Sequence, residues 1–138
     1  MIKIIIFLIF ISISITVMSC SKDTPLEPPP PATRLSTFSE IQKRVFDAGC
    51  NTSGCHGGSD PAANLDLTSA NSYTQLVEVN SVRVPSRKRV DRNNSSESVL
   101  VQILRGDVLP RMPYGGTPLS SATIDSIAKW IDEGALNN

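Results

Sequence analysis

An all-α domain with long loops is the fold class that the sequence predicts, and two observations carry it. Apolar residues recur at helical spacing in four segments, three of them bounded by capping or glycine signals. No stretch alternates with strand period for long, residues 77–84 being the nearest candidate. The length, 138 residues, allows one domain at most.

Each element has its own signal. Thr37-Phe38-Ser39-Glu40 has capping-box spacing, with Thr37 as cap and Glu40 at the third helical position. Phe38, Ile41, Val45 and Phe46 follow at helical spacing, so the first helix is predicted over residues 38–48 with Gly49 as its stop. Residues 71–79 form a short helix around Tyr73, Leu76 and Val77. Asn94-Ser95-Ser96-Glu97 repeats the capping-box pattern ahead of Val99, Leu100, Ile103 and Leu104, whose apolar face ends at Gly106. The last helix is the clearest. Ser120 caps it, Leu119 and Ile124 form a hydrophobic staple, and Ile124, Ile127, Trp130 and Ile131 share a face up to Gly134.

Ahead of the domain lie two segments that do not belong to its core. Lys3 precedes an apolar run over residues 4–18, too short at about 1.5 Å rise per residue for a hydrocarbon core of about 30 Å, which suits an export signal. Val17-Met18-Ser19-Cys20 then resembles the bacterial lipobox, and that resemblance implies cleavage before Cys20 and a diacylglycerol on its thiol. Ordinary cleavage, with Cys20 left as a spare thiol, is the alternative. Lipid chains on Cys20 imply a membrane partner, the bacterial cell envelope, on its periplasmic face or at the outer membrane. Residues 21–35 hold five prolines and almost no apolar side chains, the composition of a semi-rigid extended stalk. The expected organisation is therefore a lipoprotein signal over residues 1–19, a lipidated cysteine and linker over 20–35, and a folded domain over 36–138.

Composition narrows the function. Thirteen basic residues balance thirteen acidic ones, against the net basic face of a nucleic-acid binder. Seven aromatics are few for a core of this size, and about a hundred folded residues make a marginal core without a staple or cofactor. A single histidine excludes any mechanism that needs two imidazoles.

That histidine stands in Cys50-Asn51-Thr52-Ser53-Gly54-Cys55-His56. Two thiols in an exported protein can form a disulfide, bind a metal, or add across the vinyl groups of haem. Structural zinc wants four sulfur or nitrogen ligands, and Cys50, Cys55 and His56 supply three. A Cys50–Cys55 disulfide uses both thiols but leaves His56 unexplained. Haem accounts for all three residues together: the thiols fix the porphyrin edge and the adjacent imidazole reaches the iron. The segment resembles the c-type cytochromes, with C-x-x-x-x-C-H two residues longer than their usual C-x-x-C-H. Met112, beyond the signal the only methionine, lies in Leu109-Pro110-Arg111-Met112-Pro113-Tyr114. Prolines on both sides keep it out of a helix, in a loop able to lay its thioether against a haem face.

The resemblance extends along the chain. The C-H-G of residues 55–57, Leu65-Asp66-Leu67, Met112-Pro113, Leu119-Ser120 and Trp130-Ile131-Asp132-Glu133-Gly134-Ala135 follow the layout of the small monohaem cytochrome c domains of planctomycetes and Bacteroidetes. It implies a cytochrome c-like helical domain with long loops around one covalently attached haem c. Cys50 and Cys55 would carry the thioethers, and His56 and Met112 would be the axial iron ligands. The first and last helices would pack across each other. The implied function is one-electron transfer with a redox partner protein, not catalysis, since both axial positions are filled; a subunit of a larger oxidoreductase is compatible with that role. From the residues, a carbonyl within residues 57–61 is expected to accept the other imidazole N–H. The basic run Arg83, Arg87, Lys88, Arg89 and Arg92 pairs with haem propionates, steers an acidic partner, or is a solvated loop. Two alternatives remain at this level: an exported lipoprotein binding module with a structural Cys50–Cys55 disulfide and no haem, and a haem enzyme or sensor with a vacant iron position.

Overall fold

The computed structural model describes Leu35 and residues 37–138. The signal segment, Cys20 and the linker up to residue 34 lie outside the described residues. Among the described residues no helix is long and apolar enough to cross a membrane.

The first helix starts where its capping box predicts. The Glu40 amide donates to Thr37 Oγ1 at 3.2 Å, and α1 covers Phe38–Ile41. Beyond it the chain continues as a π-helical segment, Gln42–Cys50, where the sequence predicted plain α-helix; the helical backbone breaks at Gly49, the predicted stop, which takes φ 176° and ψ 2°. A buried amide accounts for the wider turn. Gln42, on the apolar face and 7% exposed, donates from Nε2 to Asp47 Oδ1 at 2.7 Å and to the Leu67 carbonyl at 2.9 Å. Its Oε1 accepts from Ser72 Oγ at 2.6 Å. Asp47 stands five residues on, the neighbour that an i→i+5 turn places beneath Gln42. The segment closes with the Asn51 amide on the Phe46 carbonyl at 3.0 Å.

The remaining helices are α2 (Ser72–Leu76), α3 (Val99–Arg105) and α4 (Ser121–Asp132), with a 3₁₀ turn at Ala62–Asn64. Helix α2 stops short of the predicted residue 79, because Val77 turns into an isolated bridge with Val90 and Glu78 takes a positive φ of 64°. Helix α3 starts at a buried Ser98; the Asn94 side chain receives the Glu97 amide at 3.4 Å and so caps a preceding turn instead. Its end is as predicted, with Gly106 left-handed at φ 94°. In α4, Ser120 accepts from the Thr123 amide at 3.2 Å, and Leu119 packs on the core that holds Ile124. The candidate strand, residues 77–84, pairs only through isolated bridges, Val77 with Val90 and Asn80 with Lys88.

One hydrophobic core joins these pieces. Phe38 of α1 meets Trp130 of α4 with ring centroids 5.3 Å apart, Tyr73 of α2 at 5.1 Å and Phe46 at 6.3 Å. Each such aromatic pair adds about 0.5–1.5 kcal/mol beyond the area it buries. The chain after α4 is stitched back over this cluster: Trp130 Nε1 donates to the Leu136 carbonyl, Tyr73 Oη to that of Ala135, and the Phe38 amide to Asn138 Oδ1. Leu35 is itself 4% exposed, so the packed core reaches one residue into the stretch assigned to the linker.

Candidate cofactor site

The π-helical segment delivers Cys50 to the edge of the core, where its thiol donates to the Val45 carbonyl at 3.4 Å. Burial, with the nearby Cys55 sulfur second, pushes this thiol up from its ordinary range. The chain then closes a tight loop over residues 50–57. The His56 amide donates to the Cys50 carbonyl at 3.0 Å, the Cys55 amide to that of Thr52 at 3.0 Å, and Ser53 bridges to Gly57. Gly57 is obligatory at this closure, since a Cβ there would fall 1.9 Å from the Asn51 carbonyl oxygen. Both cysteines are free thiols.

His56 is held from both of its ends. Its carbonyl accepts from the Leu67 amide at 2.7 Å, which places the predicted Leu65-Asp66-Leu67 segment directly behind it. Its ring Nδ1 lies 3.1 Å from the Ala62 carbonyl. A carbonyl only accepts, so in the neutral imidazole Nδ1 is the nitrogen that carries the proton and Nε2 the one with the lone pair. The acceptor is one residue beyond the range expected from sequence, because the 3₁₀ turn at Ala62–Asn64 folds that carbonyl back under the ring.

Met112 reaches the site through the end of α3. Its amide donates to the Ile103 carbonyl at 3.0 Å, and Arg111 Nε to that of Leu104 at 3.0 Å. Both acceptors belong to the last helical turn, whose carbonyls have no partner within the helix. The loop therefore docks on groups that need donors.

Cys50, Cys55, His56 and Met112 all line one cavity of about 600 Å³. That size lies within the range of small-molecule and cofactor sites, about 300–1,000 Å³. Its walls are mainly apolar, with Phe46, Leu67, Leu100, Ile103 and Leu104 prominent. Among the described residues no three His, Cys, Asp or Glu side chains gather as a site for a metal ion. One imidazole, one thioether and two thiols on an apolar cavity do fit an iron porphyrin, whose ring supplies four ligands of its own.

The basic segment does something the sequence did not indicate: it holds loops together. Arg89 is 8% exposed and its guanidinium donates to the carbonyls of Gln75, Ala63 and Asn64. Arg92 reaches the carbonyls of Gly134 and Ala135 and the hydroxyl of Tyr73, and Arg83 the carbonyl of Leu109. Arg87 pairs with Glu97, and Lys88 with Glu78 and Asp91. Arg89 has no carboxylate partner among the described residues, and it lines the cavity. Burial pulls its guanidinium below the ordinary value, and it remains a cation. A cation left uncompensated on an apolar wall favours an anionic group on the ligand.

Sequence reasoning missed Gln42, the steric role of Gly57 in closing the loop and the separate role of Arg89. A polar residue on an otherwise apolar helical face is the one signal that could have found Gln42. No protein-family model, curated protein or solved structure matches the chain, so the site stands on its own residues.

Proposed function

We propose that this domain is a monohaem c-type cytochrome, lipid-anchored at Cys20 on the bacterial cell envelope, that passes single electrons to a redox partner. The supporting observation is the convergence of Cys50, Cys55, His56 and Met112, from segments up to 62 residues apart (112 − 50), on one apolar cavity. Haem, when bound, supplies a one-electron iron(III)/iron(II) couple.

The chain's own groups do the rest. Cys50 and Cys55 would hold the group covalently as thioethers, keeping it in a domain too small to enclose it fully. His56 would offer Nε2 to the metal, while the hydrogen bond from Nδ1 to Ala62 holds the ring in place. Met112 offers a thioether, a ligand that favours the reduced metal and a higher potential. The apolar wall excludes water, and Arg89 balances an anionic substituent within it. Two of the four exposed large hydrophobics among the described residues line the cavity, Val82 at 59% and Tyr114 at 78%, and a third, Leu109 at 70%, is the chain neighbour of the lining residue Pro110. They form a small contact area of the kind used by transient electron-transfer pairs.

The test is a haem stain of the exported, denatured protein after electrophoresis. A stained band that disappears in a Cys50→Ala, Cys55→Ala double variant is expected. A colourless protein whose Cys50 and Cys55 are joined to each other would overturn the reading and leave the disulfide-stapled binding module.

A further inference from the structure

Two loops without regular structure meet at the cavity mouth. Residues 77–90 fold out and back as an irregular hairpin and contribute Ser81, Val82 and Arg83 to the lining. The loop after α3 contributes Pro110, Met112 and Tyr114. The base of the second loop is held by the α3 carbonyls, whereas Leu109 at its tip is 70% exposed. Among the described residues, one contact joins the two loops by hydrogen bonds. Arg83 donates from Nε at 2.8 Å and from Nη2 at 2.5 Å to the same Leu109 carbonyl oxygen.

We propose that Arg83 is a positioning residue, a latch that holds the Met112-bearing loop closed over the cavity. The near side of the latch is anchored. Ser81, 5% exposed, accepts at Oγ from the amides of both Arg83 and Val84, at 3.1 and 3.2 Å, which braces the turn that presents the guanidinium. The guanidinium has no carboxylate partner among the described residues, so nothing diverts it from Leu109. The far side leads to Met112 within three residues, across Pro110, whose ring restricts the connecting backbone. Opening the latch therefore loosens the tip of the loop and, through it, the contacts of Met112 and Arg111 to the Ile103 and Leu104 carbonyls. Two donors of one planar edge sharing one acceptor are a geometry that a lysine ammonium cannot reproduce.

The role of the latch at the iron rests on the cytochrome reading; its role on the loop does not. The experiment uses the full chain with Arg83→Met, which keeps the stem and removes the donors, and Arg83→Lys. The first readout is hydrogen exchange of the amides of residues 108–116, the Met112 amide above all, with the α4 amides as reference. Arg83→Met should speed exchange of the Met112 amide about tenfold, the lower end of the range for a charged donor because the guanidinium is exposed. The α4 amides should not move, and Arg83→Lys should fall between. The second readout, on haem-loaded ferrous protein, is the rate of carbon monoxide binding, which should rise by a similar factor. Unchanged exchange at residues 108–116, or a rise shared equally by α4, would overturn the latch. A protein without covalent haem would sink the cytochrome reading instead, and the exchange measurement would still decide the latch.

Discussion

Replacing Gly57 by alanine places a methyl group where the site loop closes on itself. The added Cβ would lie 1.9 Å from the Asn51 carbonyl oxygen and 2.6 Å from its carbon, both backbone atoms that cannot rotate away. Restoring ordinary contact means opening the loop by at least about 1 Å, beyond what a close-packed interior absorbs without strain. That displacement breaks or stretches the His56 amide bond to Cys50 and the Cys55 amide bond to Thr52. Two backbone bonds at about 1 kcal/mol each, with about 1–3 kcal/mol of overpacking strain, give a loss of about 3–5 kcal/mol. For a domain of this size each kcal/mol lowers Tm by about 4–8 °C, so the midpoint should fall by at least about 12 °C. Gly54→Ala provides the comparison within the same loop. Its φ is +82° but nothing lies within 4 Å of the added methyl, so only the left-handed backbone cost of about 1–2 kcal/mol applies. Thermal unfolding followed by circular dichroism, with covalent haem content measured on the same samples, reads both variants. If Gly57→Ala loses no more stability than Gly54→Ala, the steric account of the loop closure is wrong.

Arg89→Met removes the donors of three carbonyls and should cost about 2–3 kcal/mol in urea unfolding, because water can reach the exposed Ala63 and Asn64 carbonyls but poorly replaces the bond at Gln75; a loss below about 0.5 kcal/mol would refute this. On the cytochrome proposal, Met112→Ala should lower the reduction potential and open the iron to carbon monoxide, and an unchanged spectrum would remove Met112 from the proposed ligand set. Asn138→Ala deletes the acceptor of the Phe38 amide at the start of α1 and should cost about 1 kcal/mol by thermal unfolding, as loss of an N-terminal cap does elsewhere. Hydrogen bonds from the Thr68 amide and Asn71 hold the Asp66 carboxyl below its usual range, and those from Lys88 and the Arg92 amide do the same for Glu78. A depressed folded-state value stabilises above the unfolded value and is lost as pH falls through the folded one. Stability should therefore start to decline below about pH 4.5, and an Asp66→Asn, Glu78→Gln double variant should show a shallower acid decline in its urea midpoint.

What could be read along the chain follows from how far each interaction reaches. Thr37, Ser120 and Gly106 act on groups within four residues, and their helix boundaries stand where local spacing puts them. The Asn94 box shows the limit of the same logic. Its hydrogen bond forms, but Ser98, buried and bonded to the Asp91 amide and the Asn94 carbonyl, takes over the start of α3. The π-helical turn was invisible because its cause, Gln42, is satisfied partly by Leu67 and Ser72, 25 and 30 residues away. The basic segment was read as one charge patch, yet Arg83, Arg89 and Arg92 act singly on backbone carbonyls of different segments, and Arg87 pairs with Glu97; charge is visible in a sequence, and the acceptor is not.

The sequence alone singled out the candidate site residues: a pair of thiols beside the sole histidine, and a methionine confined to a loop by flanking prolines, because these depend on residue type and near-neighbour geometry. Only the tertiary structure decided that the four share one apolar cavity, that Ala62 supplies the imidazole's acceptor, and that Arg89 and Arg83 serve the wall and the mouth. Those outcomes depend on backbone carbonyls brought together by packing, and every residue has a carbonyl, so side-chain identity does not mark the ones that will be used.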